Sequence, residues 1–128
     1  MPDRITQPHL ILAALDEATR YPDKPAHRNQ VRSDGGGEAR TVARNLMSDC
    51  HQDDHRPVDV VTSMDRALRV WLQRGPTTSL GEPDYEIGYA LVQKTIRRLL
   101  DGDPKTIQRL LEAARYRAVR FHDEAAQR

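Results

Sequence analysis

The sequence predicts an all-α fold: a single compact bundle of about five helices with a C-terminal αα-hairpin. Apolar residues return at spacings of three and four in separate segments, and the one strand-like run, Val58-Asp59-Val60-Val61, sits where a helix begins. At Asp101-Gly102-Asp103-Pro104 a helix stop is followed at once by a helix start. Glycine takes the left-handed conformation after a helix end without steric cost, aspartate accepts from the orphan N–H groups of a new helix, and proline fits its first position. Asp84 to Arg128 therefore reads as two long helices folded back on each other.

The first helical segment runs from Thr6 to Arg20, with Thr6 the expected N-cap and Leu10, Ile11, Ala14, Leu15 and Ala18 on one face. From Tyr21 to Gly37, two prolines, three consecutive glycines and almost no apolar residue predict a flexible loop outside the bundle. Helical spacing resumes over residues 38–50 with Ala39, Val42, Ala43, Leu46, Met47 and Cys50, which leaves Arg40 and Arg44 to project into solvent. A third segment, Val58 to Arg74, carries Val61, Met64, Leu68, Trp71 and Leu72. Its tryptophan should anchor the core and needs a partner for the indole N–H.

Residues 75–83 hold two glycines and two prolines and form a second loop. The helix from Asp84 to Asp101 bears one stripe of Tyr85, Tyr89, Val92, Ile96 and Leu99 and another of Ile87 and Leu91, which predicts a central position. Gly88 would let a neighbour approach closely. The last helix has the most regular pattern in the chain: Ile107, Leu110, Leu111, Ala114, Ala118, Phe121 and Ala125.

A chain of 128 residues suffices for one domain with its own core, so residues 1–128 are expected to form a single helical unit. A hydrophobic fraction of 38% beside a charged fraction of 30% suits a small bundle with wide solvated faces. The net charge of +1 argues against a polyelectrolyte that must find nucleic acid. Only Lys24, Lys94 and Lys105 are lysines, so seventeen of the twenty basic residues are arginine, the better residue for bidentate contact with carboxylate or phosphate. Cys50 is the single cysteine, which excludes an internal disulfide. Without a signal-peptide pattern or a membrane-length apolar run, a cytoplasmic protein is expected.

The densest group of potential ligands is Cys50-His51-Gln52-Asp53-Asp54-His55. If the helix continued through it, His51 and His55 would share a face with Asp54 nearby, but no spaced partner motif completes a zinc set. Adjacent carboxylates such as Asp53-Asp54 point apart on a helix, and neither a nucleophile elbow nor a phosphate-binding loop is present. No catalytic residue and no cofactor is expected.

A surface remains. At about 100° per residue, Arg109, Ala113, Tyr116, Arg117 and Arg120 gather opposite the apolar stripe of the last helix, with Lys105 close by. Arginine with tyrosine is the pairing enriched at protein-binding hot spots, and it also grips phosphate and stacks on bases. The competing account is a solvated face whose arginines pair locally with Glu112 and Glu124. The leading expectation is a small non-enzymatic adaptor or inhibitor that uses Arg109, Tyr116, Arg117 and Arg120, with Arg40 and Arg44, to engage an acidic protein surface. One alternative is a nucleic-acid-binding helical protein, with a helix-turn-helix built from residues 38–74. Another is a metal-dependent enzyme centred on residues 50–55, with His51, Asp54 and His55 as ligands. The sequence leaves the oligomeric state open.

Overall fold

Five helices follow one another: α1 (Pro8–Ala18), α2 (Gln30–Asp53), α3 (Pro57–Trp71), α4 (Pro83–Leu100) and α5 (Pro104–Ala126). The computed structural model describes residues 3–20, 29–53, 56–78 and 81–126, and no strand occurs among them. Every helix except α2 opens on proline, whose missing N–H is no loss in a first turn and whose φ is already helical. The cap of α1 is Gln7 rather than Thr6. In α2 the start is made by Asn29, whose Oδ1 accepts from the N–H groups of Val31 at 3.0 Å and Arg32 at 3.2 Å.

The turn between α4 and α5 forms as its residues dictate. Asp103 N–H donates to Arg98 O at 3.0 Å and Gly102 N–H to Leu99 O at 3.1 Å, the paired bonds of a Schellman ending, with Gly102 at φ 76°. Space also requires this glycine, because a Cβ on Gly102 would lie 2.6 Å from the carbonyl oxygen of Ile5. Asp103 then caps α5, accepting from both the backbone N–H and the hydroxyl of Thr106, and the hydroxyl bond above all holds its carboxyl below the usual range.

The loop expected over residues 21–37 is corrected at its C-terminal side: residues 30–37, the three glycines included, belong to α2, while residues 21–28 lie outside the described residues. The reason is tertiary. A Cβ on Gly35 would sit 2.0 Å from the carbonyl oxygen of Tyr85, and one on Gly88 would sit 1.8 Å from that of Arg32. Each helix thus gives up a side chain where the other's backbone passes. Ala39 and Ala43, fully buried, extend the narrow face of α2. A glycine inside a helix costs about 1 kcal/mol against alanine, and the close backbone approach offsets that cost.

Leu15, Met64, Leu68, Tyr89, Ile96, Leu99 and Ile107 are fully buried and form the centre of the bundle. Trp71 is part of this core, as its residue type predicts. Its ring meets Tyr89 edge-on at 5.8 Å, and its indole N–H donates to the Tyr89 hydroxyl at 2.7 Å. Gln93 holds the end of α3, donating to the carbonyls of Trp71 at 3.2 Å and Arg74 at 2.9 Å.

Beyond the turn, α4 and α5 part company: α4 packs chiefly on α2, and α5 chiefly on α1. Two expectations about their stripes are corrected. Ile87 and Leu91 face outward at 42% and 41% exposure, so α4 is buried along one face only. On α5, Ile107 is buried and Leu110, Leu111 and Ala114 are half-buried, but Ala118 is exposed; the side chains of Phe121 and Ala125 lie outside the described set.

Candidate interaction surface

The direction and length of α1 and α5 create the surface. Ile5 N–H donates to Gly102 O at 2.9 Å at one end, and Arg117 pairs with Glu17 at the other, so the two helices run side by side in the same sense. Helix α1 stops at Ala18, one residue past that ion pair, while α5 continues to Ala126. From there α1 no longer runs beside α5. Every residue from Arg115 to Arg120 is exposed, Tyr116 at 66% and Val119 at 53%. The segment stays helical because extending an existing helix is far easier than starting one, and alanine and arginine are strong helix formers.

Of the sequence-predicted residues, Arg109, Tyr116 and Arg120 are exposed on α5. On a wheel of about 100° per residue they lie within ~40° of one another, opposite Ile107 and Ala114. Arg117 is brought elsewhere: its Nε and Nη2 donate to Glu17 Oε2 at 3.2 and 3.0 Å, so it latches α5 to α1 instead of joining the outward face. Arg44, half-exposed, reaches across to α1 instead of simply projecting into solvent. Its Nη2 donates to Asp16 Oδ1 at 2.6 Å and to the Asp16 carbonyl at 3.3 Å, and its Nε to the Thr19 hydroxyl at 3.4 Å. A guanidinium there satisfies the Asp16 carbonyl near the C-terminus of α1 and complements the helix dipole. Arg40 is half-buried beside Gly36 and is itself bonded. Of the residues singled out in the sequence, those that remain outward, Arg109, Tyr116 and Arg120, all lie on α5, where Arg115 and Val119 are exposed beside them.

Of the metal candidates, His51 is exposed at the end of α2, whereas Asp54 and His55 lie outside the described residues. Among the described residues, no three His, Cys, Asp or Glu side chains are placed to hold a metal ion. No described helix is long and apolar enough to cross a membrane.

A polar node that the sequence reading missed joins three segments. Glu38 Oε1 accepts from the Tyr85 hydroxyl at 2.7 Å and from the Thr78 hydroxyl, and Glu38 Oε2 accepts from Thr77 N–H at 3.0 Å. Burial opposes ionisation of Glu38, but these bonds, from Thr78 first and then Tyr85, outweigh it and hold the carboxyl below its usual range. Burial pushes the Tyr85 phenol up. The node fastens residues 77–78 to α2 and α4. Its members lie up to 47 positions apart in the chain, so no local motif announces them.

Comparison with known proteins adds no constraint: no family model, curated protein or solved structure matches the chain.

Proposed function

We propose that this chain is a small protein-binding module, an adaptor or inhibitor acting by occupancy rather than by chemistry, whose distal α5 engages an acidic protein surface. The observation that carries the reading is the run Arg115 to Arg120, every residue exposed, on a helix that extends past the end of α1. A helix gains most of its stability from burying an apolar face, and here Tyr116, Ala118 and Val119 have none of that burial. A partner groove would supply it, with Tyr116 as the anchor and Arg109, Arg115 and Arg120 as the cationic rim that selects an acidic wall. Arg117, held by Glu17, fixes the direction in which the helix leaves the bundle.

The test compares the wild-type chain with a variant carrying Arg109→Ala, Tyr116→Ala and Arg120→Ala as baits in extract of the native host, after nuclease treatment. A protein retained by the wild type, lost with the folded variant and released by added salt supports the reading. Equal retention by both baits contradicts it. Retention that disappears on nuclease treatment alone would transfer the surface to nucleic acid.

A further inference from the structure

A second exposed face lies on α4, away from distal α5. Asp84, Ile87, Leu91, Lys94 and Arg98 follow one another at spacings of three and four, and span about 80° of the helix on the side opposite Tyr89, Val92 and Ile96. Ile87, Leu91, Lys94 and Arg98 are exposed, and Asp84 is half-buried where it accepts from Arg32 at 2.9 Å. An aliphatic pair in the middle is thus flanked by an acid at the N-terminal end and two cations at the C-terminal end.

We infer that this face is a self-association surface, on which α4 of one copy pairs antiparallel with α4 of a second. The charge order decides both occupant and orientation. Antiparallel pairing sets the acidic end of each helix against the basic end of the other and lays Ile87 and Leu91 on their counterparts across a two-fold axis. The helix dipoles then oppose favourably. Parallel pairing would place Lys94 on Lys94 and Arg98 on Arg98. An isologous contact needs a self-complementary surface, and this seam is one. The carboxylate of Asp84, already turned toward Arg32, keeps lone pairs for a second guanidinium. A single helix pair buries less than the ~1,600 Å² of a standard interface, so the dimer belongs to the small, concentration-dependent class.

Sedimentation velocity of the full chain across micromolar to millimolar concentrations tests the inference. Wild type should shift from monomer to dimer. Leu91→Glu should weaken association at least ~100-fold by setting carboxylates in the apolar centre, and Lys94→Glu with Arg98→Glu should do so by removing the charge match. Val70→Glu, at an exposed valine on α3 (54%), should leave the dimer intact. Orientation is read from Lys94→Cys: under oxidation, positions 94 of two antiparallel copies lie too far apart to bridge. A wild type that stays monomeric throughout overturns the inference, as does a dimer indifferent to Leu91→Glu, one lost equally with Val70→Glu, or a 94-to-94 disulfide. None of these outcomes bears on α5.

Discussion

The glycine-rich start of α2 and the distal half of α5 invert the usual relation between pattern and packing. Residues 30–37 have the composition of a loop, yet they are helical and lie against the backbone of α4. Residues 115–120 continue the cleanest amphipathic pattern in the chain, yet every one of them is exposed. What separates them is the presence of a neighbour. Small side chains become an asset when another helix passes within reach, and an apolar stripe is core only for as long as an opposing helix lasts.

The largest effect expected from this contrast is at the crossing. Gly35→Ala and Gly88→Ala each drive a methyl group into backbone that has no rotamer to give, so each should destabilise the fold by ~3 kcal/mol or more. Gly36→Ala is the control: its nearest neighbours, Arg40 Nη1 at 3.4 Å and Val92 Cγ2 at 3.5 Å, are in ordinary contact. Relief of the helical glycine penalty should leave that variant neutral or stabilised by up to ~1 kcal/mol. Chemical denaturation of the three proteins would check the ranking, and equal losses would mean that the helices do not cross on these glycines.

Next comes the core beside the crossing. Tyr89→Phe keeps the ring but strands the buried indole N–H of Trp71, at an expected cost of about 1–3 kcal/mol in the same assay.

Smaller still is the contribution of Glu38. Its carboxyl titrates below the usual range in the folded chain, so the stabilisation is fully present above the unfolded value and fades as pH falls through the folded one. Thermal unfolding against pH should show the wild type losing stability on the acid side. Glu38→Gln should be less stable at neutral pH and lose less on acidification; an unchanged acid slope would remove Glu38 from the account. Asp84 and Asp103 are lowered with the same sign, Asp84 mainly by its bond from Arg32, so part of the slope should survive.

The smallest effect belongs to distal α5. Arg109→Ala, Tyr116→Ala and Arg120→Ala together touch no core contact, so the combined variant should stay within ~0.5 kcal/mol of wild type. A loss of several kcal/mol would mean that this face is part of the fold.

What the sequence discloses divides along the same line. The Gly102 ending, the Asp103 cap and the prolines at helix starts are decided within a few residues, so they are legible locally. Trp71 is legible as core because so large an apolar surface has few other places to go. Gly35 is not, because its cost within α2 is offset only by Tyr85, distant in the chain. Arg44 looked outward for the same reason: its partner Asp16 belongs to another helix. Asn29, two residues before Val31, was a readable start signal for α2 that the run of glycines obscured. On the surface, spacing placed Arg109, Tyr116 and Arg120 on an exposed side of α5, but the diversion of Arg117 depends on where α1 ends.

Amide hydrogen exchange of the free chain measures the contrast most directly. If tertiary neighbours decide both regions, the amides from Ala39 to Ala43, bounded by two fully buried alanines, exchange only through global unfolding, while those from Arg115 to Arg120 exchange orders of magnitude sooner through local fraying. Slow exchange throughout α5, matching that of α2, would contradict the claim that distal α5 stands outside the packed bundle.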